Sequence, residues 1–253
     1  MLPVIRIGPA ALQADTLALI VALWLGAFVA EREFKRRGLR GDDAWSIIAI
    51  GVSATLIAAR LAYVAQNFSS YATDWLQIFA PTPGTLLLPI GALMGCITTL
   101  IYIQSREITV ARVADGIAPG ALTAMIVIAF GQLLSGNGFG APSDLPWAIV
   151  VWGALRHPVQ LYDALALWIG LLIVWRARFA REGITALIAI AWASAARVIV
   201  DGWRADAEFL PGGYRASQVI ALIILIGALW LIARKGESNE NIEIQTYGER
   251  AGE

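Results

Sequence analysis

The chain has one cysteine, Cys96, and one histidine, His157. A single cysteine excludes an intramolecular disulfide and any cysteine-based metal site. A single histidine excludes a multi-histidine centre, so no metal and no cofactor is expected. Charge is scarce as well: 15% of the 253 residues are charged and the formal net charge is zero. Nothing in that balance calls for nucleic acid, and no nucleic-acid partner is expected. A convincing internal repeat is missing, which weakens a transporter built from repeats. Met1–Ala10 holds one arginine, and the basic cluster follows the first apolar stretch instead of preceding it, so no cleavable signal peptide is expected.

Apolar sequence is abundant, at 58% of the chain. Seven stretches approach or exceed the roughly 20 residues that span a bilayer: Ala10–Ala30, Ala44–Gln66, Gly84–Ile103, Val113–Leu134, Val159–Trp175, Ile184–Val200 and Tyr214–Ala233. They predict an all-α, polytopic integral membrane protein with about seven transmembrane helices. Thirteen of the nineteen basic residues fall in alternate loops and the tail, including Arg32, Lys35, Arg36, Arg37 and Arg40 after the first stretch, then Arg106, Arg112, Arg176, Arg178 and Arg181. By the positive-inside rule the N-terminus lies outside and the C-terminus is cytoplasmic. Residues 1–235 read as one membrane domain. Residues 236–253, acidic and without apolar periodicity, read as a disordered cytoplasmic tail. Cys96 sits inside the third stretch and is expected to pack there.

The loops expected outside are the distinctive ones. Asn67–Pro83 carries Phe68, Tyr71, Trp75 and Phe79 and no basic residue, the composition of a segment lying at head-group level. Ser135–Pro158 is rich in glycine and proline, and Asp201–Arg215 holds Trp203, Phe209 and a Pro-Gly-Gly turn. Loops of that length in a compact protein are functional or disordered, and their aromatic content argues for function.

Five polar groups lie where lipid-length apolar sequence should exclude them: Arg60, Asp115, Gln132, Arg197 and Asp201. An ionisable group at bilayer depth costs at least about 2.5–3.5 kcal/mol on the insertion scale, so it persists where it has a partner or a role. Together they suggest an anion-handling cavity between helices. Arg197 and Asp201 are four apart, share a helix face and can pair, and Arg204 extends that face. Such a ladder suits a lipid phosphate, which arginine clamps in bidentate fashion; the plainer alternative is an ion pair that only locks helices together. Around Asn137, Gly136 and Gly138 permit close backbone approach, and exposed amides there can form an anion nest; a plain helix end is again the plainer alternative.

The stretches Pro142-Ser143-Asp144-Leu145-Pro146-Trp147 and Arg156-His157-Pro158-Val159-Gln160-Leu161-Tyr162-Asp163 resemble the prolipoprotein diacylglyceryl transferase family, where the counterparts are Pro-Thr-Asp-Leu-Pro-Trp and Arg-His-Pro-Ser-Gln-Leu-Tyr-Glu. Arg197…Asp201…Arg204 resembles the family's Arg-Phe-x-x-Glu-x-x-Arg. Arg60-Leu61-Ala62-Tyr63 resembles its Arg-Leu-Gly-Tyr, and Asp115–Pro119 its Asp-x-Ile-Ala-Pro. The resemblance covers nearly the whole chain in order. It implies transfer of a diacylglyceryl group from phosphatidylglycerol, or binding of another anionic phospholipid, with the lipobox cysteine of a preprolipoprotein signal peptide as acceptor in the bacterial inner (plasma) membrane. It implies Arg197 at the phosphate, Asp201 orienting Arg197, Asn137 and Gly138 lining the head-group site, and Gln132, Arg60, His157 and Arg204 as further substrate contacts. His157 as base is weighed against capping of the loop–helix junction, which is preferred.

Departures accompany the resemblance. The family's essential histidine falls at Ile90, the arginine of its Gly-Arg pair at Gln132, a tyrosine before the late arginine at Ala193 and an early tyrosine near Asp15. The acid of its Asn-Gly-Glu stretch has no clear counterpart. A catalytically silent relative that binds lipid or a partner protein is therefore the alternative reading, followed by a relative with another lipid or acceptor, and then by a transporter.

Overall fold

The structure is a computed structural model that describes residues 4–7, 10–72, 74–79, 84–177, 179 and 181–250, with side chains described from 13 to 236 within those ranges. Arg178, Pro83 and the outermost residues of both termini, to which expectations were attached above, lie outside the described residues. In chain order the elements are β1 (Val4–Ile7), β2 (Ala10–Gln13), α1 (Ala14–Arg36), α2 (Gly41–Gln66), α3 (Phe68–Tyr71), a 3-10 turn at Trp75–Phe79, α4 (Leu88–Ser105), α5 (Val110–Ser135), β3 (Ile149–Val151), β4 (Ala154–Arg156), α6 (Val159–Arg176), α7 (Ile184–Val200), a 3-10 turn at Asp201–Trp203 and α8 (Ala216–Arg250). Seven of the helices are long and apolar enough to cross a membrane, matching the seven stretches read from the sequence.

Two differences stand at the ends. Ala10–Gln13, expected in the first span, is a strand paired antiparallel with Val4–Ile7; the sequence carries the turn signal Gly8-Pro9 between them. At the other end the backbone of α8 runs on to Arg250, through most of the segment expected to be disordered. That run holds no proline, and Glu, Gln and Arg are good helix formers.

The contacts divide the chain into two compact units, residues 31–113 and residues 1–30 with 114–253. In the first unit α2 and α4 pack through small residues at four-residue spacing: Gly51, Thr55 and Ala59 against Gly91, Gly95 and Thr99. A Cβ on Gly91 would stand 2.6 Å from the Ala59 Cβ, and one on Gly95 2.8 Å from the Gly51 carbonyl oxygen. Between apolar helices in lipid there is little hydrophobic drive, so close backbone approach and dispersion hold the pair. The aromatic segment after α2 leaves Phe68, Trp75, Leu76 and Phe79 exposed, as an interfacial segment requires. Cys96, expected to pack, is exposed on α4, because the packed face of that helix is the glycine face.

In the second unit α1 and α5 approach at Gly26 and Gly120, where a Cβ on Gly26 would lie 2.9 Å from the Gly120 carbonyl oxygen. Ala118 and Leu122 of α5, Leu167, Leu171 and Val174 of α6, and Ala186 and Ala189 of α7 form one buried cluster. Pro119 lies inside the continuous α5, as membrane helices tolerate when neighbours re-satisfy the backbone.

Gly95→Leu should force α2 and α4 apart, at the 1–3 kcal/mol typical of overpacking or more. Thermal unfolding in detergent should show a lowered midpoint for Gly95→Leu and little change for Gly227→Leu, whose site has nothing within 4 Å.

Candidate functional site

Asp115 and Arg60 leave the expected anion cavity. Asp115 is fully buried and accepts the backbone N–H of Gly183 at 2.7 Å on Oδ2 and of Ala186 at 2.8 Å on Oδ1. It is the remote N-cap of α7, whose own Gly183 has no side chain to offer. Arg60 belongs to the unit of residues 31–113. Its Nε donates to the Ile78 carbonyl at 2.8 Å, its Nη2 to that of Gln77 at 2.6 Å and its Nη1 to Thr85, while the guanidinium stands over the Tyr71 ring. The half-buried cation thus fastens the aromatic segment to α2, and its N–H groups are taken up by carbonyl oxygens and Thr85.

What gathers instead is a four-member cluster at the end of α7. Arg197 Nη1 lies 3.6 Å from Asp201 Oδ1 and 3.8 Å from Asp163 Oδ2. Arg204 Nη1 lies 3.7 Å from Asp201 Oδ1 and 3.6 Å from Asp163 Oδ2. The spacing of four brings Arg197 to Asp201 as expected, but Arg204 does not extend that helix face: α7 ends at Val200, and Arg204 has extended backbone after the 3-10 turn and reaches the acids from there. Asp201 is completely buried, and neither of its carboxylate oxygens has a hydrogen bond among the described residues. Asp163 and Asp201 therefore hold the guanidiniums by charge, which leaves the N–H groups of Arg197 available, while Arg204 Nε donates to the more exposed Asp206 Oδ1 at 3.2 Å.

The two arginines are not equivalent. The Arg204 side chain is 12% exposed and that of Arg197 is 36% exposed, so Arg197 is the one a ligand can reach. It lines a cavity of ≈ 310 Å³ between α5, α7 and α8, with Met125, Ile220, Ala221 and Ile224 as apolar wall and Ser194 and Ser217 as polar groups. That size lies at the low end for ligand sites. Ala193 lines the same cavity. Arg197 is thus not sealed in a helix seam.

The glycine-rich turn after α5 closes over Arg204. Gly138 has φ +65°, and a Cβ there would press on the Arg204 guanidinium and stand 2.9 Å from Gln132 Oε1. Only glycine permits both the backbone conformation and the contact. Next to it Asn137 donates from Nδ2 to Asp15 Oδ2 at 3.0 Å, and its carbonyl accepts Gln160 Nε2 at 2.9 Å. Gln132, Asn137, Gly138, Arg197, Asp201 and Arg204 therefore lie in one neighbourhood. Asn137 is tied up in structural hydrogen bonds, not aimed solely at a ligand.

The loop carrying Pro142–Trp147 is ordered by the same cluster. Ala141 N–H donates to the Trp203 carbonyl at 2.7 Å and Ala205 N–H to that of Phe139 at 3.0 Å, while Gly140 bridges to Arg204. His157 packs with Tyr162 and Trp203; its Nδ1 is 3.5 Å from the Tyr162 hydroxyl, which accepts Trp147 Nε1 at 2.8 Å. The capping role expected for His157 is not found: the N-cap of α6 is Pro158, with no side-chain hydrogen bond. The imidazole is instead the floor of an aromatic cluster.

A family model described as prolipoprotein diacylglyceryl transferase matches residues 3–234. The chain belongs to this family. A phosphatidylglycerol–prolipoprotein diacylglyceryl transferase of Clostridioides difficile (strain 630) is 33% identical over 221 residues, covering 86% of this chain and 88% of the relative. One of Streptococcus suis (strain 05ZYH33) is 28% identical over 249 residues, covering 93% and 92%. One of Streptococcus agalactiae serotype Ia is 25% identical over 248 residues, covering 93% and 96%. The family is one of transferases.

Asp163, Gln160 and Asp15 were missed as site residues. Gln160 and Asp163 are a polar pair near the start of an otherwise apolar 18-residue helix, the same signal that singled out Asp115 and Asp201. Reading them as the end of a motif hid that. Asp163→Ala leaves two guanidiniums to one buried acid, and breaking a buried pair in this way costs about 3–5 kcal/mol. Asp163→Asn, which keeps the shape and a polar acceptor, should cost less. Thermal unfolding of the two variants in matched detergent checks the order.

Proposed function

We propose that this protein transfers the diacylglyceryl group of phosphatidylglycerol to the lipobox cysteine of prolipoproteins, in the bacterial plasma membrane, with its N-terminus outside and its C-terminus in the cytoplasm. The observation that carries the reading is Arg197: a reachable guanidinium, steadied by two buried acids, at an apolar-walled cavity of head-group size. Basic residues concentrated in alternate loops support the orientation, which puts the cluster on the outer side, where secreted acceptors emerge.

In this reading a phosphate oxygen of the lipid sits at Arg197, with Arg204 behind it. The acceptor thiol loses its proton, since the thiolate is the nucleophile. Sulfur attacks the glycerol carbon that bears the phosphate; a carbon–sulfur bond forms and the carbon–oxygen bond breaks. The bond pair leaves on oxygen as glycerol phosphate, which with the released proton balances the reaction. Charge grows on the departing phosphate, and a pre-oriented guanidinium stabilises that growth without reorganising. Asp163 and Asp201 are positioning residues for Arg197. Ile90 and Gln132 supply neither a proton acceptor nor a charge, so the phosphate charge rests on Arg197 and Arg204. Taken alone those two positions favour a silent lipid-binding relative; relatives bearing the transferase name along nearly the whole chain weigh against it.

The protein in nanodiscs containing phosphatidylglycerol should convert a lipobox peptide to its diacylglyceryl thioether, detected by mass spectrometry. Arg197→Ala should lower the rate about 100-fold or more, the scale seen when one transition-state donor is removed. Ile90→His combined with Gln132→Arg should raise it. A folded wild-type protein that yields no thioether would overturn the reading.

A further inference from the structure

The motifs of the loop between α5 and α6 include a feature that the phosphate site does not use. β3 and β4 form a hairpin closed by Trp152 and Gly153, both with positive φ, 53° and 76°, as a two-residue turn of type I′ requires. Val150 pairs with Leu155. The Leu155 carbonyl accepts the Ser143 N–H at 3.1 Å, on the side away from β3. Residues facing each other in an antiparallel pair either both point their N–H and C=O inward or both point them outward. The Val150 N–H and C=O therefore point out of the sheet, and among the described residues no strand pairs with that edge of β3.

The edge is apolar and uncharged. Val150 is 66% exposed and Leu155 50%, side by side on one face, with Trp152 beside them at 63%. Proteins normally guard such an edge with charge, proline or a covering element; Ile149-Val150-Val151 has none of the three within the strand. Trp152 Nε1 donates to the Gly136 carbonyl at 2.9 Å, so the hairpin tip rests one residue from Asn137 and two from Gly138. The edge is thus continuous with the turn that covers Arg204.

We propose that the outer edge of β3 docks an extended, apolar, uncharged stretch of the acceptor polypeptide by strand addition, leading it along the hairpin to the Gly136–Gly138 turn. This rests on the transferase reading for the identity of the acceptor. Main-chain hydrogen bonds at Val150 would give affinity without demanding a particular side chain, and the Val150, Leu155 and Trp152 face would select for apolar residues. A bilayer surface could cover the apolar face, but it offers no row of main-chain donors and acceptors to match the edge.

The test is binding of a fluorescein-labelled signal peptide, its lipobox cysteine replaced by serine, to the full-length protein in phosphatidylcholine nanodiscs, followed by anisotropy. Val150→Pro removes the outward N–H without touching a ladder bond, because proline is tolerated at an edge position facing outward. Val150→Glu leaves the backbone intact and puts a charge on the face. Each should weaken the peptide at least tenfold, with phosphatidylglycerol affinity by native mass spectrometry unchanged. If Val150→Pro fails to fold, Val150→Glu decides. Wild-type protein that does not bind the peptide, or variants that bind it undiminished, would overturn the docking edge in favour of lipid coverage. Peptide binding lost in the variants, with no thioether formed by the wild type, would sink the transferase reading and leave the edge standing.

Discussion

Two guanidiniums sharing two buried carboxylates is the constraint around which the second unit is arranged. Arg197, Asp201 and Arg204 come from one helix end, but Asp163 comes from α6. The cluster can exist only if α6 and α7 are held face to face. Burying a single charge of this kind is prohibitive, and burying the pair alone is close to break-even. Two guanidiniums balance the two buried acids, with the third acid, Asp206, left partly exposed at the rim, and this allows Asp201 to be wholly buried while Arg197 keeps an open side. The Asp115 cap on α7 serves the same end, since it fixes where that helix starts and so where Arg197 and Asp201 finish.

Glycine and small residues do the complementary work. Gly138 lets backbone settle against the Arg204 guanidinium, and Gly140 lets it settle against His157, where a Cβ would stand 2.7 Å from the His157 Cβ. The loop between α5 and α6 is thereby drawn onto the end of α7, and the aromatic cluster of His157, Tyr162 and Trp203 fills the space outside it. A long connection that would otherwise be a surface loop becomes a second layer over the charged cluster. That layer keeps water from the buried acids and gives the hairpin a fixed base.

The seven spans were legible because hydropathy is a one-dimensional property and the bilayer sets its length scale. The approach of Arg197 to Asp201 was legible for the same reason, because a spacing of four decides it locally; the path of Arg204 was not, because the helix gives way to a 3-10 turn at Asp201–Trp203 and then to extended backbone. The rest depended on partners far apart in sequence. Asp115 and Arg60 carry the same signature as Arg197, a polar group in apolar sequence, yet one caps α7 across 68 residues and the other fastens carbonyls 17 and 18 residues away. Burial cost says that such a group has a partner; it does not say whether the partner is backbone or ligand. Asp163 was hidden in the opposite way, inside a motif whose likeness to the family drew the eye from its charge. The hairpin was also missed, since strands of three residues carry too short a pattern to stand out from a glycine-rich loop.

The pairing within the cluster also bears on the proposed turnover. In the proposed reaction, an unpaired buried arginine would bind any phosphate tightly, including the glycerol phosphate that has to leave. Here Asp163 and Asp201 already occupy much of the field of both guanidiniums, so an arriving phosphate competes with two fixed anions. Those anions lie at 3.6–3.8 Å, beyond hydrogen-bond reach, so they attract without saturating the N–H donors. A phosphate can therefore gain short charge-assisted hydrogen bonds that the acids do not make, while the acids lower the net electrostatic grip. The result is a site selective for the geometry of a phosphate and restrained in its affinity for the charge. That combination suits a group that must be held while its carbon–oxygen bond breaks and then released.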